Sequence, residues 1–127
     1  MSELVGLGLD LCGIERMRAL LEKRGVPERL FTEAERSYIL GRGACAAESM
    51  AGIFAAKEAL CKALGTGIAF PLTDIGVLHT AAGAPYYQLT GEAARLAGDL
   101  TPMLSISHEG DTAAAVCLLR RVTTTTT

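Results

Sequence analysis

One helical stretch limits what the rest of this chain can do. From about Ala47 to Leu64 the sequence is rich in alanine and apolar residues, and it runs into Gly65-Thr66-Gly67. Advancing about 100° per residue, Met50, Ile53, Phe54, Leu60, Cys61 and Leu64 gather on one face. Such a stripe must be covered, and the remaining apolar runs are short and strand-like. The chain therefore has to lay its strands against this helix. Lys57 falls in the middle of the stripe, and Glu58 and Lys62 sit at its edge.

The flanking elements follow from local pattern. Leu4 to Leu11 reads as a strand, with Val5, Leu7, Leu9 and Leu11 on one face and Leu4, Gly6, Gly8 and Asp10 on the other. Glycines inside a strand mark close approach of a ligand or of another backbone. Ile14 to Arg24 is an amphipathic helix ended by Gly25. Its apolar face is Ile14, Met17, Leu20 and Leu21, while Arg16 and Lys23 share the opposite face. Thr32 to Glu35 (TEAE) carries the capping-box signature, so a second helix starts after Thr32 and ends by Gly41 to Gly43.

Beyond the long helix, Asp74 to Thr80 and Pro85 to Leu89 form a candidate hairpin around Ala81-Ala82-Gly83. Gly91 to Leu100 is a short helical pattern. Leu104 to His108 and Ala113 to Leu119 make a second hairpin across EGD. The expected fold is α+β, a mainly antiparallel sheet packed on the long helix, in one domain over residues 1–122. The terminal Thr run, residues 123–127, has nothing to bury and is expected to be disordered.

Composition narrows the function. The chain has 127 residues, half apolar and a fifth charged, which is a globular balance. With net charge -2, no Trp and few aromatics, it does not read as a nucleic-acid binder. Between Arg16 and Arg42, seven basic residues face four acidic ones, a local balance of +3 on an otherwise acidic chain. That zone suits either a solvated helical surface or an acidic partner. Cys12, Cys45, Cys61 and Cys117 form no CxxC pair and no metal-like spacing, and Cys61 and Cys117 fall in apolar patterns. MSELVGLGLDL has no basic leader segment, and no apolar run reaches membrane length. The expectation is a reduced, soluble, cytosolic domain.

The chemistry-bearing residues converge on one type of ligand. Asp10 is either a hard-cation ligand or the cap of the helix that starts at Ile14. Glu58 and Lys62 form an i,i+4 pair in the favoured orientation, which alone reads as a surface ion pair. Lys57 in the apolar stripe needs an anion, since a buried ammonium is costly without one. Gly65 ends the helix, and the Gly-Thr-Gly amides can form an anion nest. His108, at a strand end beside Ser107, is placed for an anion, while His79 reads as structural or exposed. Two carboxylates for Mg²⁺, with lysines and a histidine for phosphates, predict a Mg²⁺-dependent enzyme acting on a phosphate or pyrophosphate compound.

Four blocks in order, GLGLDLCGIERM, FTEAE, FAAKEALCKALGTGI and SISHEGDTAAAVCLL, resemble the 4'-phosphopantetheinyl transferases, in particular the short holo-acyl-carrier-protein synthase group. The resemblance spans Gly6 to Leu119. It implies transfer of 4'-phosphopantetheine from coenzyme A to a serine of an apo acyl carrier protein, releasing adenosine 3',5'-bisphosphate. It also implies that Asp10 and Glu58 bind Mg²⁺, that Lys62 contacts phosphate, and that Gly65, Thr66, Gly67 and His108 help hold coenzyme A. Phosphoryl-transfer chemistry then gives Lys62 a charge-offsetting or protonating role, and makes Glu58, or a water ordered by the metal and Glu58, the candidate base. Lys57 is a further candidate for the phosphates.

The resemblance also gives the basic zone a purpose. Arg16 and Lys23, with Arg18 and Arg24 as lesser contacts, become candidate contacts for an acidic carrier protein. Short members of the group resemble one half of the longer pseudo-dimers and are typically homotrimers with sites between subunits, so this chain is expected to be one. One departure stands out: the family commonly has Arg before FAAKE, and this chain has Ile53. Ile53 motivates an alternative, a non-catalytic member that binds coenzyme A or a carrier without transfer. Another Mg²⁺-nucleotide enzyme is a third possibility.

Overall fold

The long helix becomes the axis of the molecule. The computed structural model describes residues 2–122, so the expectation for the Thr tail lies outside the described residues. In chain order the elements are β1 (Ser2–Gly13), α1 (Ile14–Arg24), α2 (Glu33–Leu40), α3 (Ala46–Leu64), β2 (Ile75–His79), β3 (Pro85–Leu89), α4 (Gly91–Ala97), β4 (Thr101–Glu109) and β5 (Thr112–Val122). The α+β class and antiparallel pairing are as expected. The five strands divide into two sheets, however: β1-β5-β4 and the hairpin β2-β3. Asp10 pairs with Ala115, which pairs with Ile106, so these three stand in one row across the larger sheet.

Helix α3 is buried on nearly all sides rather than along one stripe. Small residues Ala46, Ala47, Ala51, Ala55, Ala56 and Ala59 are buried alongside Met50, Ile53, Leu60 and Cys61. They let the sheet, α1, α2 and β2 approach it from different directions. Gly65 ends the helix in the left-handed conformation, φ 75° and ψ 15°. The second glycine has its own reason: Gly67 also holds a positive φ, 62°.

From Gly6 onward the β1 alternation is as expected, and the glycine face is the buried one. A Cβ on Gly8 would overlap the Ala59 carbonyl oxygen, and one on Gly6 the Ala63 carbonyl oxygen. The space above the glycines is therefore filled by the α3 backbone, not by a ligand. The leucine face is open: Leu7, Leu9 and Leu11 are 61%, 58% and 64% exposed. A register shift between Leu4 and Gly6 pairs Leu4 with Arg120, but Gly6 with Leu119. This bulge moves Leu4 from the glycine face, where simple alternation puts it, to the leucine face.

The local helix signals are accurate. Thr32 caps α2 with a complete capping box, its side chain accepting from Glu35 N while Glu35 accepts from Thr32 N. Helix α1 begins from Gly13 with no side-chain cap, so the capping role considered for Asp10 does not exist. Among the described residues, no helix is long and apolar enough to cross a membrane.

Candidate active site

Strand β1 and helix α3 run together and bring three ionisable groups to one place. Asp10, the last residue of the glycine face before Cys12, is nearly buried. Lys62, one turn before the helix end, reaches across to it. Its Nζ lies 3.0 Å from Asp10 Oδ1 and donates a second bond of 2.9 Å to the Leu9 carbonyl oxygen. The expected Glu58–Lys62 ion pair gives way to this longer-range one, because a buried carboxylate on a rigid strand competes better for the ammonium than a half-solvated one. Glu58 is half-buried, one turn earlier on α3.

The electrostatics tie Glu58 to the same cluster. Its carboxyl is pushed above the usual carboxylate range, first by burial and then by the neighbouring Asp10 charge, with Lys62 and Arg16 pulling the other way. Two carboxylates that feel each other, beside a backbone carbonyl, make an oxygen-only donor set suited to a hard cation. Among the described residues no cluster of three or more His, Cys, Asp or Glu exists. Two acids with substrate phosphate and water are what Mg²⁺ commonly uses, so the donor chemistry fits. Arg16 lies beside the cluster, its Nη2 3.8 Å from the Cys12 sulfur.

Lys57 does not belong to this cluster. Its Nζ is 2.7 Å from Glu35 Oε1, and both side chains are fully buried. It also donates to the Leu72 and Ile75 carbonyl oxygens, at 3.0 and 2.6 Å, while Glu35 Oε2 accepts from Val77 N at 2.7 Å. The anion that Lys57 needs is internal, which removes it from the candidate ligand contacts. Burial pulls the Lys57 ammonium below its ordinary range, and Glu35 opposes that shift.

The Gly-Thr-Gly turn is exposed beyond Lys62. Gly65 N donates to Lys62 O and Thr66 N to Cys61 O, so those two amides are spent closing the helix. Of the three amides of this turn, the Gly67 N–H alone has no acceptor among the described residues, so the turn offers one amide rather than a full nest.

His108 stands elsewhere. It lines a cleft of about 250 Å³ with Tyr38, Arg42, Glu48, Ser49 and Ile53. In that cleft His79 stacks on Tyr38, ring centroids 4.1 Å apart and planes 8° from parallel, and Arg42 lies 5.6 Å over the Tyr38 ring. Sequence reading missed this stack, because Tyr38 and Arg42 lie together at the end of α2 while His79 comes from the distant strand β2. Burial, then Arg42, lowers the His79 pKa. On α3, Ile53 of the cleft and Lys62 of the acidic cluster are nine residues apart and fall on opposite sides of the helix at about 100° per residue. The cleft and the carboxylates of one chain therefore do not face each other.

The candidate carrier contacts divide. Arg16, Lys23 and Arg24 are exposed, whereas Arg18 is tied to Glu15 and Glu48, each at 3.1 Å.

A family model described as the 4'-phosphopantetheinyl transferase superfamily matches residues 6–117. The chain belongs to that superfamily, and it is an enzyme of the phosphopantetheinyl transferase class. Within the superfamily its similarity runs to the holo-[acyl-carrier-protein] synthases. That of Syntrophotalea carbinolica is 47% identical over 122 residues, covering 91% of this chain and 94% of the relative. That of Treponema denticola is 40% identical over 120 residues, covering 91% and 98%. Among solved structures, a Bacillus anthracis holo-(acyl-carrier-protein) synthase in complex with CoA (3',5'-ADP) superposes with TM-score 0.79 at 35% identity, covering 94% of this chain and 98% of that one.

Proposed function

We propose that this chain transfers 4'-phosphopantetheine from coenzyme A to a serine of an apo acyl carrier protein in the cytoplasm, with Mg²⁺ held by Asp10 and Glu58. The observation that carries this reading is the convergence of Asp10, Glu58 and Lys62 at the β1–α3 seam. Relatives named holo-[acyl-carrier-protein] synthase, and a neighbour crystallised with coenzyme A, support the substrate and the acceptor.

Bound at the two carboxylates, the metal supplies charge stabilisation to the pyrophosphate. The carrier serine oxygen forms a new bond to the β-phosphorus as the bond to the bridging oxygen breaks, releasing adenosine 3',5'-bisphosphate. Glu58, or a water held against it, accepts the serine proton. Lys62 offsets charge on the departing phosphate or protonates it. Gly67 N–H and His108 help hold coenzyme A. Because His108 lies on the far side of α3 from Asp10 in one chain, its contact with that ligand comes from a neighbouring copy.

The open leucine face supports a homotrimer. Leu9 pairs with Val116, and Leu7 with Leu118, which pairs with Met103, so the apolar surface is continuous across three strands. Exposed apolar area of that extent marks an association surface. Arg16 and Lys23 then face outward on α1 for the acidic carrier. The non-catalytic alternative rested on Ile53. That side chain is buried in the cleft wall and has no part in the Asp10–Glu58–Lys62 cluster, so the transfer reading is preferred.

The test is incubation with coenzyme A, Mg²⁺ and a panel of apo carrier proteins, read by intact mass. One carrier should gain a phosphopantetheine, and Asp10→Ala and Glu58→Ala should each nearly abolish the gain while keeping the fold. No modified carrier with any divalent metal, or full activity in both variants, refutes the assignment.

A further inference from the structure

The Lys62 ammonium occupies one Asp10 carboxylate oxygen and the neighbouring Leu9 carbonyl oxygen, both at the site proposed for a divalent cation. Its Nζ bridges Asp10 Oδ1 at 3.0 Å and Leu9 O at 2.9 Å, and Glu58 lies on the same helix face one turn away. The two partners differ in freedom. Asp10 is fixed on a paired strand with a side chain 11% exposed, while the Lys62 side chain is 54% exposed on a flexible four-carbon stem. Two cations cannot share one carboxylate oxygen at contact distance without strong repulsion. If one must leave, it is the exposed lysine.

We propose that Lys62 is the resident counter-ion of Asp10, and that divalent-metal binding displaces it, freeing its ammonium for the substrate phosphate. The proposal rests on the Asp10–Glu58 metal reading above and adds a coupling to it. Lys62 neutralises Asp10 before loading, so the nearly buried carboxylate is not left uncompensated. Loading then moves a positive charge one turn along α3, toward the exposed Gly-Thr-Gly end, where the proposed pyrophosphate contacts begin. Metal binding and Lys62 binding at Asp10 are therefore mutually exclusive, whereas metal and phosphate contact by Lys62 are compatible. The sign of the effect is distinctive. Removing a lysine that aids the reaction should strengthen metal binding in the absence of coenzyme A.

Mn²⁺ is the probe, titrated by calorimetry and electron paramagnetic resonance into the full chain without coenzyme A. Lys62→Met should bind Mn²⁺ about fivefold tighter or more, the scale of a lost exposed ion pair, and Lys62→Arg should bind as the wild type does. Equal or weaker binding by Lys62→Met overturns the displacement. If the wild type binds Mn²⁺, Asp10→Ala does not, and Lys62→Met gains nothing, the displacement fails while the metal reading stands. If wild type, Lys62→Met and Lys62→Arg all fail to bind, both fall. A second measurement uses the unaltered protein: amine acylation followed by peptide mass analysis should modify Lys62 faster at saturating Mn²⁺ than without it. An unchanged or slower rate overturns the proposal.

Discussion

Lys57 and Glu35 form an ion pair of 2.7 Å with both side chains 0% exposed, joining α3 to α2 at the point where β2 begins. Every polar atom of the pair has a partner in Thr32, Leu72, Ile75 or Val77. Breaking it from one side leaves an uncompensated buried charge. Lys57→Met should therefore cost about 3–5 kcal/mol of unfolding free energy in urea titrations. The paired change Glu35→Leu with Lys57→Met removes both charges and should recover most of that loss. If the double variant is no more stable than Lys57→Met, the single-variant loss reflects packing rather than charge.

The seam between β1 and α3 is built on missing side chains. A methyl at Gly8 meets the Ala59 carbonyl oxygen and the Ala63 nitrogen, which are backbone atoms that cannot rotate away. Gly8→Val should destabilise the protein by about 3 kcal/mol or more, at the upper end of overpacking costs. Gly83→Ala tests a different cause. Its Cβ would meet nothing within 4 Å, but its φ of 92° is strained for an L residue, so about 1 kcal/mol is expected from backbone conformation alone. Equal losses at both positions would contradict the close-approach account of β1.

What sequence reading recovers here is mostly what local chemistry decides. The Thr32 capping box, the bounds of α1 and the Gly65 helix end depend on residues within a few positions of each other, and all three are present. The side of β1 that is buried was not legible. Both faces are apolar or small, and the deciding contact is with a helix more than fifty residues away. The Leu4 bulge breaks alternation without a glycine or proline at the bulged position to announce it. Lys57 was visibly in need of an anion, and Glu35 was visibly a capping residue, but no local rule joins positions 22 apart. Lys62 shows the same limit: the i,i+4 rule nominates Glu58, and the tertiary structure supplies Asp10. Asp10, Glu58 and Lys62 come together at the β1–α3 seam, with the ion pair made by Asp10 and Lys62 rather than by Glu58 and Lys62.

Glu58 gives a pH dependence with a definite sign. Its carboxyl is raised in the folded protein from an ordinary value of 4.5, by burial first and by Asp10 second. A raised acid favours folding fully below its unfolded value, and that contribution is lost as pH rises through the folded value. Glu58→Gln keeps the neutral shape at every pH. The stability of Glu58→Gln relative to wild type, measured in urea without divalent metal, should therefore grow as pH rises from below 4.5 through the raised value, then level off. A difference that shrinks over that window would mean that Asp10 and burial do not act on Glu58 as the structure indicates.

The open leucine face provides the test of assembly. Leu9 is 58% exposed at the centre of a surface that continues through Val116, Leu7, Leu118 and Met103. A charge placed there costs little in a lone chain, because the side chain already faces solvent, and much in a trimer that buries it. Leu9→Glu should shift sedimentation from trimer to monomer while leaving the far-ultraviolet spectrum of the folded chain intact. His108 and Asp10 of one chain face different sides of α3, so the monomeric variant should also lose transfer although every Asp10, Glu58 and Lys62 side chain is retained. Mixing this variant with an assembled Asp10→Ala protein offers a sharper readout. If the two exchange subunits, mixed trimers bring an intact acidic cluster beside an intact His108, and some activity returns. A Leu9→Glu monomer with wild-type turnover would overturn the shared site.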